Sequence, residues 1–367
     1  MPDRGAIVAR APGKLVALGE YAVLDGAPAL VVAVDRRAVA RRNATPRGSS
    51  PFLLAVAQEI AARRGASDPA TRAAFEISVD STAFYDQATA RELATSARLA
   101  SAVAAPAGND ASKLGLGSSA AVTVAATALA LETAHASEIL EIALAAHARA
   151  QGSRGARGSG ADIAASVYGG TIVFSRGPSE LASSPAGSGS LPIVSEMAND
   201  PVPWIESRRW PKDVTLVPFF TGAPADTAQL VARVHAARDQ HRTAVDAALA
   251  AIAEASRAAC VALAAPPDIA PVALIGAMAL AADATDQLAA ATRIALVPPC
   301  VTAARAALAR LGGTAKTTGA GGGDVGVAVV PAAIDATHVG RLLIEAGCQP
   351  LRIALDETGV DLRPDAS

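Results

Sequence analysis

Along the chain, short apolar runs rich in β-branched residues alternate with longer Ala-, Val- and Leu-rich stretches, and the two patterns predict different elements. Residues 14–18 and 29–34 read as two strands joined by a turn that carries Asp25 and Gly26. Residues 119–134 contain neither Gly nor Pro and suit a buried helix. A second helix is expected over 137–150. It runs into a Gly-, Arg- and Ser-rich stretch, 152–160, that has no regular period of its own. A helix restarts over 162–167 and a strand follows over 170–175. The Gly-, Ser- and Pro-rich segment 177–192 then reads as a surface connection.

Beyond it, 214–219 is strand-like and 226–264 is a long helical region. There Leu230, Val234, Val245, Leu249 and Ile252 approximate one face. A strand over 325–330, a helix over 337–346 and a closing strand over 351–355 complete the pattern. Strands and helices mixed without a strict alternation predict an α+β fold. Single cores stop growing at about 250–300 residues, so a chain of 367 is expected to form two lobes. The division is 1–176, a connection over 177–212, and 213–367.

Composition narrows the function. With 51% hydrophobic but only 3% aromatic residues, the core is aliphatic. A net charge of −2 supplies no general field for nucleic acid or an anionic bilayer, so any anion has to be held by local groups. The most apolar stretch, 261–282, is interrupted by Pro266, Pro267, Asp268 and Pro271, which leaves no clean membrane span. The amino terminus shows no apolar run of signal-peptide length, and the expectation is a cytoplasmic protein. Cys260, Cys300 and Cys348 are isolated and odd in number, as reduced buried thiols are. The five histidines have no metal-ligand spacing and read as surface or capping residues.

Three segments carry candidate chemistry. In Lys113-Leu114-Gly115-Leu116-Gly117-Ser118-Ser119-Ala120, a glycine loop runs into a helix start. Unpaired amides and the positive end of the helix dipole suit a phosphate there, and the serines offer hydroxyls to a Mg²⁺ ion. The same residues also fit an ordinary turn with a serine N-cap. Gly319-Ala320-Gly321-Gly322-Gly323-Asp324 is a second glycine cluster ahead of a strand. It is either a flexible linker or a backbone that passes close to a ligand. Lys14 and Glu20 stand in an apolar strand-turn-strand unit, where a charge needs a partner. A salt bridge explains either residue, and a Lys that reaches a transferred phosphate is the functional alternative.

In order and spacing, these segments resemble the signature motifs of the GHMP kinase superfamily over nearly the whole chain. The details GKLVALGEYAVL, KLGLGSSAAV, AHARAQG with GSGADIAASVYGG, and AKTTGAGGGDVGVAV look most like its phosphomevalonate kinases. The resemblance implies the two-lobed GHMP fold. Its N-terminal lobe has a left-handed βαβ-type nucleotide site and its C-terminal lobe is a ferredoxin-like α/β sandwich. The implied partners are ATP, Mg²⁺ and 5-phosphomevalonate, in a monomer or homodimer without nucleic acid or membrane.

The resemblance also implies residue roles. Lys14, Lys113 and Asp162 would be catalytic. Gly115, Leu116, Gly117, Ser118, Ser119 and Ala120 would hold ATP, with Ser119 on Mg²⁺. Lys14, Glu20, Tyr21, Arg154, Arg157, Ser159, Gly319, Ala320, Gly321 and Gly322 would face the acceptor.

The stretch 148–161 holds no Asp or Glu, with Gln151 the nearest polar candidate, and this departs from the acidic magnesium ligand of mevalonate kinases. A phosphate acceptor is already anionic near neutral pH, since a monoester's second pKa is about 6. Asp162 would then orient Lys14 or a magnesium-bound water. A hydroxyl acceptor, as in mevalonate kinase or another alcohol kinase of the superfamily, requires it as a base. A ligand-sensing protein on the same fold is the non-enzyme alternative.

Overall fold

The computed structural model describes residues 7–42, 50–85, 113–152, 158–177 and 203–365. Strand β1 (Ile7–Leu18) pairs antiparallel with β2 (Ala29–Arg42) in the register Leu15↔Val32 and Val16↔Val31. The run Ala29–Val34 is apolar at every position because both faces of the strand are covered and all six side chains are buried. β2 also pairs with β3 (Ile77–Asp80) and with β4 (Thr171–Ser175), and β4 pairs with β5 (Trp204–Arg208). On this sheet lie α3 (Ser118–Leu131) and α5 (Ala161–Tyr168), and against them pack α1 (Pro51–Arg64), α2 (Pro69–Phe75) and α4 (Ala136–Gly152). Of these, α3 is buried almost all round and crosses β1 and β2.

The second sheet contains β6 (Val214–Phe220), β7 (Thr314–Thr317), β8 (Val325–Pro331) and β9 (Gln349–Pro350). Its order is β7-β8-β6-β9 with all pairs antiparallel. With helices between β6 and β7 and α10 (Ala336–Glu345) between β8 and β9, this is the ferredoxin-like split βαβ arrangement.

The expected helical region 226–264 is two helices, α6 (Thr227–Gln240) and α7 (Arg242–Ala264), which break at His241. The proline-interrupted stretch turns into α8 (Ala270–Thr292), with Pro271 in the first turn, where its missing N–H costs nothing. α7 and α8 are each long and apolar enough to cross a membrane by length and composition, and half of each apolar window, 50%, is buried inside the protein. They pack on each other between the sheets, and α9 (Pro299–Ala309) follows.

Two boundaries differ from expectation. The connection 177–212 contains β5, which extends the first sheet. The tail of 213–367 does not close its own lobe over 351–355. It crosses back, so that Leu355 bridges Val34 and β10 (Asp361–Pro364) pairs with β1. Arg37 holds this return, with Nε on Asp356 at 2.7 Å and its two terminal nitrogens on the carbonyls of Gly359 and Thr358 at 3.1 and 2.6 Å.

Candidate active site

A cavity of about 460 Å³ opens where the end of β1, the start of α5, α6 and the second glycine loop meet. Lys14, Glu20, Tyr21, Gly115, Ser159, Asp162, Gly319, Ala320 and Gly321 all line it, so residues up to 307 positions apart, 14 to 321, share one wall. The cavity is also lined by Gln151, Thr227, Val231, His235 and Asp324.

Lys14 lies on β1 under the first glycine loop, Gly115–Gly117. Its backbone N–H donates to the Leu116 carbonyl at 2.8 Å and its Nζ to the Gly115 carbonyl at 3.4 Å. The loop sits so close to this side chain that a Cβ on Gly117 would stand 3.0 Å from the Lys14 methylenes, and Gly117 has a φ of 74°. Only glycine fits both demands. Helix α3 begins immediately after Gly117, and among the described residues no side chain caps it. Its first amides are therefore available to an anion, in place of the serine-capped turn. Leu116 and Ala120 are fully buried, and the Leu116 amide donates to the Leu114 carbonyl at 2.7 Å while its carbonyl accepts from Lys14.

Burial pushes the Lys14 ammonium below its ordinary pKa, and the carboxylates of Asp162 and Asp324 act against that. Asp162 stands in the first turn of α5, where Gly160 has a φ of 88° and the Ser159 hydroxyl accepts from the Ala161 amide at 3.3 Å. Asp324 ends the second glycine loop, and its Oδ1 accepts from the Gly115 amide at 2.9 Å. Burial pushes its carboxyl pKa up, against the Gly115 amide and Lys14.

Glu20 and Tyr21 tie the turn after β1 to the same loop. Glu20 and Lys316, both nearly fully buried, form an ion pair that joins the turn after β1 to β7. Lys316 also donates to the Thr317 carbonyl at 2.8 Å, while Glu20 Oε2 has no hydrogen-bond partner. Burial pushes the Glu20 carboxyl up and Lys316 opposes it. Tyr21, at a φ of 57°, donates its hydroxyl to the Ala320 carbonyl at 2.6 Å. Among the described residues Glu20 thus has a salt-bridge partner, and a free carboxylate oxygen beside the cavity as well.

Other expected residues stand apart from the cavity lining. Lys113 is exposed and bridges Tyr85 through its backbone. The Ser119 hydroxyl meets His147 Nε2 at 3.1 Å, and His147 stacks on Phe52 with ring centroids 5.2 Å apart. His147 is therefore a buried partner of the loop, which corrects the reading of the histidines as surface or capping groups. Ser118 is buried, and Gly322 donates its amide to the Leu296 carbonyl at 2.7 Å. Arg154 and Arg157 lie outside the described residues. Sequence reasoning missed Asp324, Lys316 and His147. Asp324 adjoins the glycine cluster, but only the fold brings it to Gly115, 209 residues away.

A helix N-terminus behind one glycine loop, a second glycine loop facing it and a Lys between them, on these two sheets, define the GHMP kinase class. No family model matches the chain. It is 30% identical over 376 positions to the phosphomevalonate kinase of Streptomyces sp. (strain CL190), covering 94% of this chain and 96% of that protein. The chain belongs to the phosphomevalonate kinase family.

Solved structures share the fold. A Listeria innocua protein superposes with a TM-score of 0.71 at 21% identity over 98% of this chain and 100% of its own. The Streptococcus pneumoniae phosphomevalonate kinase in complex with phosphomevalonate and AMPPNP gives a TM-score of 0.67 at 17% identity, covering 95% and 99%.

Proposed function

We infer that this chain transfers the γ-phosphoryl group of ATP to the phosphate of 5-phosphomevalonate and releases ADP and 5-diphosphomevalonate. The observation that carries this reading is the meeting of both glycine loops on Lys14, in a chain of the phosphomevalonate kinase family. The uncapped start of α3 supplies backbone donors for a triphosphate. Gly115, Gly117, Ser118 and Ser119 hold it, while the Leu116 amide is already bonded to the Leu114 carbonyl and Leu116 and Ala120 pack into the core behind the loop.

A phosphate acceptor needs little proton removal, so the barrier lies in bringing two polyanions into line, and positioned cations lower it. Lys14 is the central cation. Asp162, whose charge acts on Lys14, orients it. Lys113 adds charge at the loop entrance. Arg154 and Arg157 would supply further positive charge for the acceptor, as the family resemblance implies, and Ser159 with the loop Gly319, Ala320, Gly321 and Gly322 would face it.

Among the described residues no cluster of three or more His, Cys, Asp or Glu could cage a metal by itself. Mg²⁺ takes few protein ligands and several phosphate oxygens. Ser119 is the residue that would hold it, its hydroxyl oriented by His147 at 3.1 Å. When bound, Mg²⁺ neutralises phosphate charge.

The test is ADP release with phosphomevalonate, mevalonate, homoserine and galactose as acceptors. Turnover selective for phosphomevalonate is expected. Preference for an alcohol would transfer the role of base to Asp162, and tight ATP binding without turnover on any acceptor would make the chain a sensor.

A further inference from the structure

Asp324 is held more firmly than a loop residue needs to be. Its amide donates to the Ala223 carbonyl and its own carbonyl accepts from Thr221 at 2.9 Å. Its φ of 61° is in the left-handed region, which Asp and Asn tolerate better than other side chains. From this mount the carboxylate reaches Gly115, where an added Cβ would stand 2.3 Å from Oδ2. Gly115 is thus glycine at least partly because Asp324 occupies the space beside it.

We propose that Asp324 is a positioning residue of the phosphoryl-transfer centre. It fixes the first glycine amide of the phosphate loop and supplies, opposite Asp162, the second of two negative charges that flank Lys14. The inference rests on the kinase reading above.

A neutral Asn would accept the same hydrogen bond from Gly115 in the same backbone conformation. A carboxylate there carries the added cost of burying charge. The charge therefore has a use, and Lys14 is the cation placed to receive it. Among the described residues, the other charged or titratable groups of the cavity are Glu20 and Tyr21 in the turn after β1, Asp162 on α5 and His235 on α6. Lys113 stands at the loop entrance, and Lys316 neutralises Glu20. Removing Asp324's charge leaves Asp162 as the one unpaired carboxylate acting on Lys14 among the described residues. A buried ammonium then gives up its proton at lower pH.

The experiment follows the Lys14 ammonium directly by NMR titration of the reductively ¹³C-methylated, nucleotide-free protein. The chain has only four lysines, Lys14, Lys113, Lys212 and Lys316, so the signals are assignable by substitution. In Asp324→Asn, Lys14 is expected to titrate about one pH unit lower than in the native protein. The alkaline limb of kcat/KM for phosphomevalonate should move with it, while KM for ATP changes less than about threefold because the Gly115 bond survives. Asp324→Ala should show the same titration shift and, with the bond lost, a KM for ATP raised about tenfold.

A Lys14 titration in Asp324→Asn that coincides with the native one overturns the proposal and leaves Asp324 a simple hydrogen-bond acceptor. Should Asp324→Ala fail to melt cooperatively, Asp324→Asn decides alone. Absence of turnover in the native protein would instead strike the kinase reading, and the Lys14 titration would still decide the electrostatic role.

Discussion

The Tyr21 hydroxyl donates a 2.6 Å hydrogen bond to the carbonyl of Ala320, 299 residues further along the chain. This bond fastens the second glycine loop to the turn that follows β1, so the loop's distance from Lys14 is set by the first sheet. Tyr21→Phe removes the bond and keeps the ring. A buried carbonyl without its donor costs about 1–3 kcal/mol. The expected result is a melting point lowered by a few degrees and a KM for the acceptor raised about fivefold, read from thermal melts and steady-state kinetics.

The Glu20–Lys316 pair is buried on both sides. Removing one partner of such a pair strands the other charge and costs about 3–5 kcal/mol. Glu20→Gln or Lys316→Met should each destabilise the protein by roughly that amount in urea unfolding. Glu20→Gln with Lys316→Met should cost less than the sum of the two, since no charge is left stranded. Additive losses would show that the pair is not the interaction at stake.

The Ser119 hydroxyl and His147 Nε2 share one 3.1 Å contact. Ser119→Ala should lower kcat about a hundredfold, the order seen when one oxygen or amide that stabilises transition-state charge is removed. His147→Leu, which frees the hydroxyl without deleting it, should lower kcat about tenfold. Raising the Mg²⁺ concentration should recover part of the His147→Leu loss and none of the Ser119→Ala loss.

Thiol reactivity provides a pH test of the core. Burial pushes the Cys260 thiol up to about 12, and burial together with the neighbouring Cys300 pushes Cys348 up to about 12. The thiolate is the reactive form, and raising the pKa lowers its population at any pH below it. At pH 8 the folded protein should expose no more than Cys300 to a disulfide reagent, with all three thiols reacting in guanidinium. Rapid labelling of Cys260 at pH 8 would contradict its burial.

Much of the site is readable from local pattern because its parts are local devices. A glycine loop ahead of an apolar helix and an Asp at a helix start after Ser159 and Gly160 are each written within a few residues. The partners are not. Asp324 meets Gly115, and Glu20 meets Lys316, only after both sheets have formed, and neither distance in sequence leaves a periodic signal. The start of helix α8 is hard to read from local pattern because Pro266, Pro267 and Pro271 fall close together, the first two before the helix and Pro271 in its first turn, which tolerates proline. The return of β10 to β1 was invisible for a similar reason. Its four residues, Asp361–Pro364, have no apolar alternation, since the strand lies at the sheet's edge and is held by Arg37 and Asp361 as much as by packing.

The acceptor in the proposed reaction is itself a phosphate, and ³¹P NMR of the product reports which bond forms. With ATP, Mg²⁺ and 5-phosphomevalonate, the monoester signal should be replaced by two mutually coupled diphosphate resonances, in step with the formation of ADP. A second uncoupled monoester signal, which would mean transfer to a hydroxyl, or ATP consumption without any change in the acceptor phosphorus, would contradict it.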